Sequence, residues 1–461
     1  MPQGIRRPHE AVDYAALTQL YPPPPQYFES AYYDTREAIE AKQLARLQDR
    51  ALRAYQVPFF RKRWDAAGFD PRSLTSLADL DRIPFYTVDD IRKSIDANPP
   101  LGDYQGVSIG DARREPMRVF MSGGTTGNSR PTLYTAWDRE AGAILTARGL
   151  YQQGIRPGDT VLNSWAYSTH NGAFSMDEAL YNWLNCVVIT TGTGTVTSSR
   201  RQIELALQYG ANAILTTGDY LLRLADMARE MGIDPKNDLK LCALPNIGER
   251  EILEETFGVP NYASYGFHEV QWVATECPAR QGLHIMEDAF IVQVVDTESG
   301  ELLPDGELGS LVVTEVYKTG SPQFRYNIMD LSSLHPPERC ECGSWLRRMA
   351  PFAGRGDNMV KLRGVNVWPE ALGEIVMTHA EATEDYFVRA IRQENRDEMI
   401  VAITTPAQTS AYATIQGEIE SLLKEKIGVK FTVEVHPLGG LDEWTEIKTS
   451  PKTKRFSDER N

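Results

Sequence analysis

Cysteine and histidine are scarce in this chain, five and seven among 461 residues, and basic charge and long apolar runs are equally thin. The odd, dispersed set of Cys186, Cys242, Cys277, Cys340 and Cys342 excludes the disulfide framework of a small secreted scaffold. Lys and Arg number 48 against 63 Asp and Glu, a formal net charge of -15, which argues against a nucleic-acid partner, since phosphate backbones are bound by concentrated positive charge. No stretch approaches the roughly 18 apolar residues of a membrane span, so no membrane partner is expected. No apolar run follows Met1-Pro-Gln-Gly-Ile-Arg-Arg-Pro8, so a secretory signal is not expected and the predicted location is cytoplasmic. Repeats and low-complexity tracts are absent too; the four prolines from Pro22 to Pro25 make a short extended segment at most.

What remains is an ordinary globular composition, 42% hydrophobic and 24% charged, in a chain long enough for more than one folding unit. Residues 36 to 66 carry a helical pattern with alternating acidic and basic positions. Further on, β-branched runs at Asp159 to Leu162, Cys186 to Thr190 and Ala213 to Thr216 alternate with helical patterns over 138 to 153, 199 to 209 and 219 to 231. That alternation predicts α/β layers with parallel strands. Phe290 to Asp296, the turn at Pro304-Asp-Gly306 and Gly309 to Thr314 predict antiparallel strands in a sheet or barrel. Past Gly354 to Asp357 comes a mixed α+β set of about 100 residues, a plausible domain size.

Chemistry concentrates first in Met121-Ser-Gly-Gly-Thr-Thr-Gly-Asn-Ser-Arg-Pro-Thr132. Gly123, Gly124 and Gly127 let backbone amides approach anionic oxygens, and Ser122, Thr125 and Thr126 add hydroxyl donors, so the stretch predicts a nucleotide-phosphate loop. It is not of the Walker type, because no Gly-Lys-Ser/Thr closes it. A second concentration is Cys340-Glu-Cys342 after Pro336-Pro337, which with Cys277 and His284 makes a tetrahedral Cys3His set suited to structural Zn2+. His335 competes for the fourth place, while Cys186 and Cys242 sit in apolar runs and are expected in the core.

Four further motifs follow the loop in order: Ser264-Tyr-Gly-Phe-His-Glu269, Arg325-Tyr-Asn-Ile-Met-Asp330, Gly354 through Pro369, and Ser450-Pro-Lys-Thr-Lys-Arg455. Together they resemble the adenylate-forming superfamily of acyl-CoA synthetases, luciferases and peptide-synthetase adenylation domains. Within it the chain resembles the phenylacetate-CoA ligase family, through Arg46-Leu47, Pro58 to Arg63, Leu77 to Leu80, Ile83-Pro-Phe85, Glu276-Cys-Pro278 and Gly282 to Asp288, over nearly its whole length. The implied fold is α/β: a large N-terminal domain, residues 1–353, of layered α/β subdomains plus a β subdomain, and a small mobile α+β C-terminal domain, residues 354–461.

The resemblance also implies roles. Tyr265 packs on adenine, Glu269 helps hold Mg2+, Gly248 and Glu249 lie near adenine, Asp330 accepts both ribose hydroxyls and Arg355 contacts the nucleotide. Lys452 reaches the α-phosphate and carboxylate, with Lys448 and Lys454 as competitors, and Asp357 marks a hinge between two half-reactions. Three departures stand out: His268 replaces the threonine that contacts the α-phosphate and reads either as a donor to phosphate or carboxylate or as a solvent-facing or packed histidine, Asn327-Ile-Met329 replaces Arg-Thr-Gly, and the phosphate loop lacks its lysine, with Arg130 as a substitute cation. The acid pocket is expected to draw on Tyr167, His170, Asn171, Gly172, Phe174 and the Gly192-Thr-Gly194 turn. The activity so implied is ATP-dependent activation of an aryl or arylacetic acid to an acyl-adenylate, then transfer to coenzyme A. Transfer to an amine or hydroxyl, or mere nucleotide or acid binding on a ligase scaffold, are the rival readings; a homodimer is expected by the same resemblance.

Overall fold

The structure, a computed structural model, describes residues 7–122, 129–245, 250–358, 360–362, 365–393, 396–447 and 453–460. The chain divides into two compact units. The larger holds Met1–Asp296, Gly300–Ile328 and Ser333–Pro351; the smaller holds Thr297–Ser299, Met329–Ser332 and Phe352–Asn461.

In the larger unit the helical pattern over 36 to 66 resolves into two helices, Arg36–Ala54 and Pro58–Ala66. Thr35 starts the first by accepting from the Ala38 amide, and Ile39, Gln43, Leu47, Ala51 and Ala54 form its buried stripe. The break falls at Pro58, which lacks the N–H a continuing helix requires and instead opens the next one.

The expected parallel layer is present: Val187–Thr190, Thr160–Asn163 and Ala213–Leu215 lie side by side in that order, with Val161 opposite Val188 and Ala213. Parallel neighbours need long crossovers, and helices Ser199–Tyr209 and Gly218–Glu230 form the return from Val187–Thr190 and the exit from Ala213–Leu215. Helix Ala136–Gln152 is buried on nearly every side, from Ala141 through Leu150 without interruption. The antiparallel region forms open sheets rather than a barrel. Phe290–Val295 pairs with Gly309–Glu315. Arg348–Met349, Leu283–Ile285, Gln271–Glu276 and Ser264–Phe267 make a second sheet in that order. Two short strands, Met117–Met121 and Pro131–Thr135, pair antiparallel with Met121 opposite Pro131.

The smaller unit is a four-stranded sheet, Thr432–Pro437, Arg396–Thr405, Tyr386–Gln393 and Phe456–Glu459, whose central pair is antiparallel and whose outer pairs are parallel. Helices Pro369–Val376 and Tyr412–Ile427 supply Leu372, Val376, Ile415, Ile419 and Leu423 to a core shared with Val388, Val401 and Val433.

Candidate active site

The motif that carries His268 and Glu269 is a tight β-turn region. Ser264–Phe267 and Gln271–Glu276 pair antiparallel, with an irregularity between Tyr265 and Gly266 and with Phe267 opposite Gln271. Gly266 is needed there, because a Cβ would stand 2.1 Å from the Gln271 carbonyl oxygen. Gln271 itself takes φ +68, so the strand leaves the turn sharply. Tyr265 is buried, with its ring 6.2 Å from that of Phe267.

Glu269 is buried as well, and Arg130 Nη2 stands 3.4 Å from its Oε1. The cation that the loop supplies in place of a lysine therefore reaches the carboxylate expected to hold Mg2+. Ser122 closes the base of that loop: its amide donates to the Arg130 carbonyl at 3.2 Å, and its Oγ accepts from the Arg130 amide at 3.2 Å. Gly123, Gly124, Thr125, Thr126 and Gly127 lie outside the described residues, as do Gly248, Glu249, Lys448 and Lys452. The Asp357 backbone lies in the short helical turn Gly356–Asn358, and its side chain is likewise outside the description.

His268 is half-buried in this turn. Burial lowers its imidazole to about 4. Its Nε2 is buried with no hydrogen-bond partner among the described residues.

In the acid-pocket segment, Phe174 lies 5.5 Å from Phe120 and 5.3 Å from Tyr167, centroid to centroid, so three rings cluster. Tyr167 donates to Asp177 Oδ1 at 2.7 Å and accepts from Asn163 at 2.7 Å. Asn171, expected as a polar anchor for the acid, makes hydrogen bonds within the protein. Its Oδ1 accepts from Arg139, and its Nδ2 donates to the Tyr134 hydroxyl at 3.2 Å. His170 is half-buried and its imidazole is lowered by burial. Gly172 begins helix Gly172–Glu178 beside it. Gly192 takes φ +65, as its turn requires, and a side chain at Gly194 would meet the Tyr220 hydroxyl.

The smaller unit holds the remaining nucleotide candidates. Asp330 and Arg355 face each other as a backbone bridge, and Arg355 Nη1 donates to Asp330 Oδ1 at 3.0 Å. Asp330 is buried at 7% exposure, so its carboxylate is oriented by that guanidinium.

Cys277, His284, Cys340 and Cys342 converge, with one ligand atom from each within 4.8 Å of all the others. Cys277 follows the strand Gln271–Glu276, His284 sits in Leu283–Ile285, and the turn at Gly343, φ +93, folds the Cys-x-Cys pair back. Cys277 Sγ is 3.8 Å from Cys340 Sγ, and Cys342 Sγ is 3.5 Å from His284 Nε2. Zn–S bonds of about 2.3 Å and Zn–N bonds of about 2.0–2.1 Å in a tetrahedron give edges of about 3.8 and 3.5 Å, so the donors fit zinc. The hydrogen bond with Cys342 and burial push the Cys277 thiol up, while that same bond and those with His284 and Tyr32 pull Cys342 down. The Tyr32 hydroxyl stands 3.1 Å from Cys342 Sγ. His335 is not in the group.

Residues without any sequence signal also reach the turn: Tyr134, Tyr317 and Lys318 contact its backbone from distant segments.

Residues 364–460 match the AMP-binding enzyme C-terminal domain. The phenylacetate-coenzyme A ligase of Aromatoleum evansii is 32% identical over 457 residues, 95% of this chain and 98% of that protein. The phenylacetate-coenzyme A ligase of Thermus thermophilus is 34% identical over 372 residues, 79% of this chain and 80% of that one. Among solved structures, 2-hydroxyisobutyryl-CoA ligase in the postadenylation state with R3-HIB-AMP superposes with a TM-score of 0.81 at 25% identity, covering 93% of this chain and 91% of that chain. Likeness of that level along nearly the full length, with the motif order intact, makes the chain a member of the phenylacetate-CoA ligase family of adenylate-forming enzymes.

Proposed function

We propose that this protein is an AMP-forming acid-CoA ligase acting on an aryl or arylacetic acid. One observation carries the reading: its likeness to a phenylacetate-coenzyme A ligase runs along 95% of the chain. In the first half-reaction a carboxylate oxygen attacks the α-phosphorus of ATP and pyrophosphate leaves. In the second the CoA thiol attacks the acyl carbonyl and AMP leaves. Both steps bring anions together, so the enzyme's task is positioning and charge stabilisation.

Tyr265 would cover adenine, Asp330 would accept the ribose hydroxyls while Arg355 orients it, and Arg130 would add positive charge beside the phosphates. Gly248 and Glu249 would lie near adenine. The phosphate loop, Ser122 to Gly127, would supply amide and hydroxyl donors. Glu269, an acceptor-only carboxylate, suits Mg2+, which would neutralise phosphate charge when bound. Lys452 would bridge α-phosphate and carboxylate in adenylation, and the C-terminal domain would turn about Asp357 before thioester formation. The rings of Phe120, Tyr167 and Phe174 support an aromatic acid. The Cys3His group would hold Zn2+ as a structural crosslink.

ATP-pyrophosphate exchange across benzoic, hydroxybenzoic, aminobenzoic, phenylacetic and short aliphatic acids, with and without CoA, tests this. Exchange with aryl acids and CoA-dependent thioester are expected. Exchange confined to aliphatic acids would overturn the substrate class, and AMP release without thioester would overturn CoA as acceptor.

A further inference from the structure

Three consecutive backbone carbonyls in the turn, those of His268, Glu269 and Val270, each accept from a buried side chain that arrives from elsewhere in the chain. The Tyr134 hydroxyl donates to His268 at 2.8 Å, Lys318 Nζ to Glu269 at 2.5 Å, and the Tyr317 hydroxyl to Val270 at 2.7 Å. The sharp exit at Gln271 and the irregularity at Tyr265 and Gly266 interrupt the strand ladder here. Its carbonyls therefore need other donors, since a buried carbonyl left unpaired is costly.

Lys318 is the unusual member. It is 1% exposed, and its ammonium lies 4.1 Å from the centre of the Tyr134 ring. Burying an ammonium is costly unless it is paired, and an apolar residue would fill the same space without that cost. What the ammonium does that an apolar side chain cannot is grip the Glu269 carbonyl with a charge-assisted hydrogen bond. Its own segment is fixed in turn. Glu315 Oε2 accepts from the amides of Tyr317 at 2.9 Å and Lys318 at 2.7 Å, and Oε1 accepts from Gln323 at 3.0 Å. Asp138 extends the brace, accepting from the amides of Thr319 at 2.7 Å and Gly320 at 2.8 Å. Tyr134 is likewise anchored by Asn171, which Arg139 holds.

We propose that Lys318, with Tyr134 and Tyr317, is a positioning residue for adenylation: it fixes the backbone of Glu269 so that the carboxylate is preset for the metal-nucleotide complex, without itself touching substrate. This rests on the reading of Glu269 as part of the Mg·ATP site. The two half-reactions separate the role from general stability, because a Glu269 turn preset for Mg·ATP matters to pyrophosphate exchange and not to acyl transfer from adenylate already made.

The test compares wild type, Lys318→Met, Tyr134→Phe and Tyr317→Phe in three measurements: calorimetric ATP affinity with Mg2+ and with EDTA, ATP-pyrophosphate exchange with phenylacetate, and CoA thioester formation from synthetic phenylacetyl-adenylate. A misplacement near 1 Å costs about a hundredfold in a positioned reaction, so Lys318→Met is expected to lower exchange by about that factor. Its Mg2+-dependent gain in ATP affinity should fall about tenfold, while transfer from the preformed adenylate stays within about threefold. Equal losses in both half-reactions, or an unchanged Mg2+-dependent gain, would overturn the proposal. Should Lys318→Met not fold, Tyr134→Phe removes a single hydroxyl and is expected to show the same split, about fivefold in exchange. Unchanged exchange in both tyrosine variants would then overturn it. Wild type that binds no Mg·ATP would overturn the reading of the Glu269 site itself, and this inference with it.

Discussion

Glu315 shows what a single buried carboxyl costs when the backbone needs it. Its oxygens serve three amides, yet burial, only partly offset by Lys318 and then by those amides, raises it from 4.5 to about 7. Because the folded value lies above the unfolded one, its protonation favours the folded state. That contribution is complete below pH 4.5 and is lost as the pH rises toward 7. Each unit is worth about 1.4 kcal/mol, so wild type should lose roughly 3 kcal/mol relative to Glu315→Gln across that interval. Denaturant midpoints taken from pH 4.5 to 8 check this; parallel curves for the two proteins would refute it. Arg130 makes the opposite case, a cation whose value lies in its neighbour. Replacing it by Met leaves the buried Glu269 carboxylate without the guanidinium now 3.4 Å away. Truncating one partner of a buried pair costs about 3–5 kcal/mol, and at this separation the lower end is expected. Arg130→Met should therefore unfold at a lower temperature in the absence of nucleotide, and Mg·ATP should restore more of its midpoint than of wild type's. Equal nucleotide-induced shifts would show that Arg130 and the metal do not share Glu269.

Among the elements, the turn at Gly343 has little apolar content of its own, and the Tyr32 hydroxyl reaches Cys342 from the N-terminal segment. Zinc bound by Cys277, His284, Cys340 and Cys342 would join three separated stretches, so its removal should matter on the order of several kcal/mol. Metal analysis should find one zinc per chain, and chelator or Cys340→Ser should lower the unfolding midpoint and raise the number of reactive thiols. A midpoint indifferent to chelation, with no zinc found, would leave four free side chains. Local pattern explains which elements were legible. The parallel strands and their helices carry apolar periodicity, so they stand where the sequence predicts, and the hairpin at Gly309 announces itself by Pro304-Asp-Gly306. The helix expected through 66 divides because Pro58 overrides a favourable composition. Cys-x-Cys and a conspicuous glycine are local signals. The grip on 268–270 is not, because Tyr134, Tyr317 and Lys318 lie about 50 to 135 positions away and look like ordinary strand and loop residues. The partners of Asn171 are hidden for the same reason: nothing beside it in sequence shows that Arg139 and Tyr134 bond to its side chain.

At the scale of the whole molecule, two cores matter more than one large one. The smaller unit encloses Val388, Val401, Ile419 and Leu423 in a core of its own, with Asp330 and Arg355 joined within that unit, while Tyr265, Glu269 and Arg130 belong to the larger. A chain so divided can distribute two half-reactions between residues that need not act at once. Lys452 is the residue on which the division is best tested, since its assigned work ends when pyrophosphate leaves. Lys452→Ala should reduce acid-dependent pyrophosphate exchange on the order of 10²- to 10³-fold, the usual loss on removing one donor from a developing charge. Thioester formation from synthetic acyl-adenylate and CoA should persist within about threefold, because that step breaks the bond to AMP without forming one to pyrophosphate. Lys448→Ala and Lys454→Ala serve as controls, and a comparable loss in either would move the assignment to it. If Lys452→Ala slowed both half-reactions alike, the lysine would be acting on the stability of the smaller unit, which a lowered unfolding midpoint would reveal. If it slowed neither, the C-terminal motif would carry no part of adenylation, and the charge at the α-phosphate would have to be held by the larger unit, with Arg130 the first residue to replace.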